Sequence, residues 1–219
     1  TPTATPDPNA TPTPKEKPSV KVMYQYGYAD DGIDGVGDVK GLIKVMNTGK
    51  KAVDLSALSI RYWYTKDSNA AQEYTFDYVK IGKDKVEGSF VEISEPVGTA
   101  DNYFEISFAD GAGVIAPGSD SGEIQFRITQ DGLPYTQSND HSFNADADVY
   151  VENSNITIYV NSELVYGVEP DGVVTPTPTP SQYKYGDVNG DGLVNSIDFG
   201  VMKMYLLGMI KEFPYENGS

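Results

Sequence analysis

The chain has no cysteine, one histidine, one tryptophan, and only 16 basic residues against 32 acidic ones, giving a formal net charge of −16 over 219 residues. Each scarcity removes a class of function. Without clustered Lys and Arg the surface is a poor partner for nucleic acid or anionic membrane, whose phosphates need neutralising. A surplus of carboxylates favours divalent cations instead. Uninterrupted apolar runs are only a few residues long, against the ~20 needed to cross a bilayer, which predicts a soluble protein. The lack of cysteine leaves the compartment open, since an exported protein can rely on core size and metal in place of disulfides. With no Cys, one His and no HExxH, GxSxG or glycine-rich phosphate loop, the parts for nucleophilic triads, zinc hydrolysis and phosphoryl transfer are missing. A glycosidase needs only two carboxylates at about 5 Å or 6.5–9.5 Å, so composition alone does not exclude one. The lone His141, inside "SNDHSF", reads as a surface or packing residue.

What is present divides into four pieces. Residues 1–18 alternate Thr and Pro, and 171–182 include "VTPTPTPS". Proline fixes φ and favours extended polyproline II, so both read as semi-stiff linkers. The opening "TPTATPDPNATPTPKEKP" has neither an initiator Met nor a basic-then-apolar leader, and reads as a mature or excised piece of a longer protein.

Between the linkers, residues 19–170 form short segments rich in β-branched and aromatic residues: "SVKVMYQY", "GLIKVMNTG", "LSIRYWYT", "EYTFDYVKI", "GSFVEIS", "NYFEISFA", "GEIQFRIT" and "SNITIYVNSELVYGV". Gly, Asp, Asn and Ser clusters separate them, with no crossover helices, which predicts an all-β sandwich or jelly roll. In "SIRYWYTK" the alternation puts Ile60, Tyr62 and Tyr64 on one face and Arg61, Trp63 and Thr65 on the other, so aromatics occupy both sides of the sheet. Trp63 reads as core.

Residues 183–219 are of another kind. "DVNGDGLVNSID" places Asp187, Asn189, Asp191, Asn195 and Asp198 at positions 1, 3, 5, 9 and 12 of a calcium loop, with the Leu193 carbonyl at 7 and Gly192 for the tight turn at 6. A helical run, "FGVMKMYLLGMIKEFP", follows and ends before Pro214. Ile197, Val201, Met202, Met204, Tyr205, Leu206, Leu207, Met209 and Ile210 fall all around its circumference, and a helix apolar on every side is normally buried on every side.

Two resemblances follow from these stretches. "VMNTGKKAVDLSALSIRYWYTKD", "ADNYFEISFADGAGVIAPGSDSGEIQFRI", "YTQSNDHSF" and "VNSELVYGVEP" resemble successive signatures of family 3 carbohydrate-binding modules, which bind cellulose and accompany bacterial cellulases and cellulosomal proteins. The resemblance implies a nine-stranded jelly-roll β-sandwich with a bound calcium, held by Thr65, Asp67, Thr136, Asn139 and Asp140. It also implies a cellulose-facing row in which Asp77, Tyr78 and Arg127 match the family's Asp, adjacent aromatic and Arg. The family's Trp has no counterpart: Gly132, Leu133 or Pro134 stands where that ring belongs. Two readings stay open. One is a binder of non-crystalline or soluble glucan; the other is a module that does not bind crystalline cellulose and supports an upstream glycoside hydrolase.

The loop and helix resemble the first repeat of a type I dockerin, the module that attaches cellulosomal proteins to cohesin domains of a scaffoldin. By that register Ser196, Ile197, Lys203, Met204 and Gly208 are the cohesin-facing residues, Ca2+ is the cofactor, and cohesin binding needs a second repeat. The resulting expectation is a non-catalytic, secreted, extracellular cellulosome-associated protein that addresses plant cell-wall polysaccharide. The exposed helix is expected to find cover on the sandwich, on a second copy, or to fray.

Overall fold

The computed structural model describes residues 17–27, 37–131, 133–170, 188 and 196–211. They divide into two compact units, residues 1–174 and 175–219.

The larger unit is a sandwich of antiparallel sheets. One sheet has the order β10-β1-β2-β9-β5, built from β1 (Val20–Tyr26), β2 (Asp38–Asn47), β5 (Gln72–Val79), β9 (Ile124–Gln130) and β10 (Val151–Glu152). The other has the order β12-β11-β4-β7-β6, from β4 (Leu58–Tyr64), β6 (Val86–Val97), β7 (Ala100–Phe108), β11 (Ile156–Val160) and β12 (Glu163–Tyr166). A ribbon of β3 (Val53–Asp54) and β8 (Val114–Ile115) completes twelve strands among the described residues.

The expectation of nine strands therefore falls short by three. β3, β8 and β10 are two residues each, too short to carry an alternation pattern. The segment read as "SNITIYVNSELVYGV" folds as the hairpin β11–β12, turned by Asn161 and Ser162 at φ 49° and 67°, the left-handed pair that a two-residue hairpin loop requires.

Alternation elsewhere decides what is inside. Along β2 every second residue from Val39 to Asn47 is buried, and β9 buries Ile124, Phe126, Ile128 and Gln130. The outward partners on β9 are the polar Gln125, Arg127 and Thr129, while β2 alternates Asp38, Lys40 and Lys44 with Leu42 and Met46 on that face. Between the sheets rings meet in series: Tyr24 with Tyr62 at 6.2 Å between centroids, Tyr62 with Phe126 at 5.4 Å, Phe126 with Phe104 at 5.5 Å, and Phe104 with Phe76 at 6.1 Å. Gly41 makes room for this series, because a Cβ there would come within 2.7 Å of the Phe126 ring.

Aromatics do occupy both faces of β4. Tyr62 and Tyr64 join the main core, while the fully buried Trp63 packs on the opposite face with Ile93 and Ala100 against Val97 and Tyr103, its Nε1 donating to Thr157 Oγ1 at 2.9 Å. This second small core is built from the end of the β6–β7 pairing, where Val97 meets Ala100, and from Trp63 of β4, which pairs with Tyr103 of β7.

The second unit contains one described helix, α1 (Ser196–Leu206). It is shorter than the sequence predicts. Gly208 adopts φ 70°, the Gly208 N–H bonds the Tyr205 carbonyl at 3.0 Å, and the Met209 N–H bonds the Met204 carbonyl at 2.9 Å. Those two bonds form the glycine-dependent stop that satisfies the last carbonyls of a helix. Met209 and Ile210, expected on the helix, thus lie beyond it. Its burial also differs from expectation: only Asp198 and Val201 are buried, and Ile197, Phe199, Leu206 and Leu207 are exposed.

Candidate functional site

Asp77, Tyr78 and Arg127 come together on the outer face of the sheet containing β5 and β9. Arg127 pairs across the sheet with Lys40 on one side and Thr75 on the other. The β5–β9 register then shifts between Phe76 and Tyr78, so Asp77 is an extra residue in β5, a bulge. A bulge redirects a side chain. Here it brings the Asp77 carboxylate beside the guanidinium, with Arg127 Nε donating at 3.1 and 3.0 Å and a terminal nitrogen at 2.5 Å. Asp38 stands farther off, 3.9 Å from the other terminal nitrogen. Tyr78 is 43% exposed, presenting a ring to solvent next to this forked pair. At the place of the absent tryptophan, Leu133 is exposed and bridged to Gln130. Gly132 lies outside the described residues.

The five residues implied as calcium ligands are also gathered, from loops about 70 positions apart. Asp67 Oδ2 accepts from the Thr136 amide at 2.5 Å, and Asp67 Oδ1 accepts from Asn139 Nδ2 at 3.4 Å. Asp140 Oδ1 accepts from the Thr65 amide at 3.0 Å. Asp140 is buried, its Oδ2 has no hydrogen-bond partner, and the nearby Thr65 Oγ1 is likewise buried and unpartnered. Burial pushes the Asp140 carboxyl well above the usual range; the Thr65 amide opposes this, while Asp67 and Asp101 add to it. An orphaned carboxylate oxygen beside further carboxylates fits a hard cation that takes oxygen ligands. Asp101 escaped the sequence reading. It accepts from the Lys66 amide at 2.7 Å and from Asn102 at 2.9 Å, bracing the same loop, but no spacing motif marks it.

The His141 Nε2 lies 3.1 Å from the Val168 carbonyl.

In the smaller unit, Asp187, Asn189, Asp191, Leu193 and Asn195 lie outside the described residues. Asp198, the twelfth loop position, is 2% exposed in the first turn of α1, and its Oδ1 accepts from the Val188 amide at 3.0 Å. The helix thus ties its own start to the second loop residue. Ser196, Ile197, Lys203 and Met204 are exposed on α1. Gly208 is exposed too, and it has the structural duty of ending the helix.

Comparison with known proteins matches two families along the chain. Residues 25–167 match the family described as a cellulose binding domain, and residues 168–217 match the type I dockerin domain. A β-mannanase/endoglucanase A of Caldicellulosiruptor saccharolyticus is 43% identical over 144 residues, covering 65% of this chain and 11% of that protein. An anti-sigma-I factor of Acetivibrio thermocellus is 38% identical over 171 residues, covering 78% of this chain and 30% of that protein. The chain therefore spans less than a third of either relative. Among solved structures, a biomass-sensing module of an Rsgi-like protein of Clostridium thermocellum, described as resembling the family 3 module of the cellulosome, superposes with a TM-score of 0.65 at 35% identity. That match covers 70% of this chain and 99% of the module.

Family 3 modules generally bind polysaccharide, type I dockerins generally bind calcium and cohesins, and their combination is typical of secreted, cellulosome-associated bacterial proteins. Among the described residues no helix is long and apolar enough to cross a membrane. The chain belongs to the family 3 carbohydrate-binding modules, followed by a type I dockerin domain, and its make-up is that of a non-catalytic part of a cellulosomal protein.

Proposed function

We propose that this protein recognises non-crystalline plant cell-wall polysaccharide through its sandwich and is carried to that substrate by a cohesin-binding dockerin, outside the cell. The carrying observation is the sheet face itself. Among the described residues it presents the exposed Tyr78 ring beside the Asp77–Arg127 pair, and the chain's only tryptophan is fully buried. Gripping a flat crystal takes several coplanar rings stacked on sugar faces. One ring with flanking hydrogen-bonding groups suits a looser or single glycan chain. The biomass-sensing module of Clostridium thermocellum at 35% identity supports a recognition role.

Calcium belongs to this reading as a structural ion. Thr65, Asp67, Thr136, Asn139 and Asp140 would hold it, where its charge offsets the crowded carboxylates and ties the two loops together. In the dockerin, Asp187, Asn189, Asp191, Leu193, Asn195 and Asp198 form the second set. Ser196, Ile197, Lys203 and Met204 are exposed for cohesin, and Gly208 shapes the end of that surface.

A second reading is favoured by the relatives: the match to a β-mannanase/endoglucanase covers 11% of that protein, so a module of this kind sits within a larger enzyme. There the sandwich assists an upstream glycoside hydrolase. Depletion assays separate the two. Loss of the protein from solution onto phosphoric-acid-swollen cellulose, with little loss onto microcrystalline cellulose, is the expected result. No depletion on either solid and no mobility shift in soluble glucan gels would refute polysaccharide binding and leave the helper role.

A further inference from the structure

Next to Tyr78 the same sheet face dips into an open groove of about 500 Å3 lined by Lys44, Tyr78, Lys80, Asp120, Gly122, Glu123 and Gln125. Its volume is in the ~300–1,000 Å3 range of sites for small ligands. Its charges cancel, two lysines against Asp120 and Glu123. Glu123 is fixed by two donors, the Tyr150 hydroxyl at 2.6 Å on Oε2 and Gln125 Nε2 at 2.5 Å on Oε1. The Tyr150 hydrogen bond is the main reason its carboxyl sits below the usual range, so it is ionised at neutral pH. Tyr150 precedes β10 at the far edge of the sheet, and its ring reaches across to β9 over the Lys44 ammonium, 4.0 Å from the ring centroid.

Resting on the polysaccharide reading above, we propose that Tyr150, Glu123 and Lys44 form a further sugar subsite, which makes the face a groove for a single chain of a neutral β-linked glycan. Lys44 lies over one side of the partly buried Tyr150 ring, at the rim of the groove, and the remaining ring surface is assigned to stacking with a sugar's C–H face. A carboxylate offers about four acceptor positions. Tyr150 and Gln125 use two at Glu123 and the rest take sugar hydroxyls, while the Lys44 and Lys80 ammonium groups donate to ring and glycosidic oxygens. From β5, which carries Tyr78, across β9 to β2 is roughly 10 Å at ~4.8 Å per strand, the span of a short oligosaccharide. Balanced charge gives no advantage to a uronic-acid polymer. A rigid crystal face cannot enter such a groove, and an isolated chain can.

The test uses the full chain with cellohexaose by calorimetry and hydroxyethyl cellulose by affinity electrophoresis, together with polygalacturonate as the charged control. Tyr78→Ala reports on the site already proposed; Tyr150→Ala, Tyr150→Phe, Glu123→Gln and Glu123→Ala report on the new one. Loss of about tenfold in affinity for Tyr150→Ala and Glu123→Ala, with Tyr150→Phe within about threefold of wild type because the ring survives, supports the subsite. Melting temperatures check folding, and if Tyr150→Ala unfolds, the shape-preserving Glu123→Gln decides by the same weakening. Wild-type affinity in the Tyr150 and Glu123 variants, with binding lost in Tyr78→Ala, overturns the subsite and leaves the polysaccharide reading standing. Tighter binding to polygalacturonate than to cellohexaose also overturns it. No binding by wild type to any glycan, soluble or solid, sinks both.

Discussion

Replacing Asp140 with Asn gives opposite outcomes with and without calcium. The Asp140 carboxylate is buried with one oxygen unpartnered, and Asp67 and Asp101 press on it with like charge. In chelator, the isosteric amide keeps an acceptor for the Thr65 amide, at 3.0 Å from Oδ1, and removes the buried charge. Relief of a buried charge pressed by like charges is worth about 1 to 3 kcal/mol. At 2–4 °C per kcal/mol for a domain of this size, Asp140→Asn should melt at or above wild type, by up to ~10 °C. Calcium at 100 times its dissociation constant stabilises wild type by about 2.7 kcal/mol, hence by 5 to 11 °C. If the substitution weakens binding a hundredfold, the same calcium adds only about 0.4 kcal/mol. The melting curves of the two proteins should therefore cross as calcium is added, in a calorimetric titration from excess chelator upward. A variant less stable than wild type in chelator, together with a wild-type melting temperature indifferent to calcium, would refute the reasoning.

Other consequences are as direct. Asp77→Ala leaves the Arg127 guanidinium without its forked partner and should weaken binding to amorphous cellulose about tenfold, read by depletion isotherms, with melting nearly unchanged because the pair is on the surface. Gly41→Ala drives a methyl into the Phe126 ring and should cost about 1 to 3 kcal/mol in chemical denaturation of the sandwich. Gly208→Ala puts a side chain at φ 70° and should weaken the end of α1 by roughly 1 kcal/mol, visible as lower helicity and faster amide exchange at Met209. Burial, with Glu152 beside it, pushes the Tyr166 hydroxyl up to about 12. Its folded form holds its proton more tightly than the unfolded chain, so this contribution is present below pH ~10 and lost as pH rises towards 12. Tyr166→Phe should flatten part of that alkaline decline in melting temperature.

Some of this architecture was readable in sequence and some was not. Ile124 to Gln130 announces itself because apolar and polar residues alternate there, whereas in Val39 to Asn47 burial alternates strictly but Leu42 and Met46 blur the pattern in sequence. "RYWY" also shows its two-sided burial, since aromatics on successive residues must point both ways. Two-residue strands leave no such trace: β3, β8 and β10 are defined by what they pair with. Asp67, Asn139 and Asp140 were legible through a resemblance to a family, and Asp101 was not, because its place in the cluster comes from β7 lying beside β4. Lys44, Glu123 and Tyr150 come from three separate parts of the chain and meet only in the folded sheet. Gly208 was read as a position on a helical face, and its second duty of ending the helix was not visible, because it depends on the φ of 70° that the folded chain adopts there.

The extra residue in β5 has a consequence for how this surface can change. Before Asp77, even-numbered positions such as Phe76 face the core; after it, Val79 does. The bulge is a change of parity, and the whole recognition face downstream inherits it. Substitution can alter what Tyr78 or Lys80 offers a ligand while the sheet stays intact. Deleting a residue between Gln72 and Phe76 would instead shift the register of the strand on one side of the change, exchanging inside for outside there. Such a surface can diversify in chemistry while its length stays fixed, so divergence in ligand choice is expected as changes of residue on this strand and changes of length only in the loops beyond it.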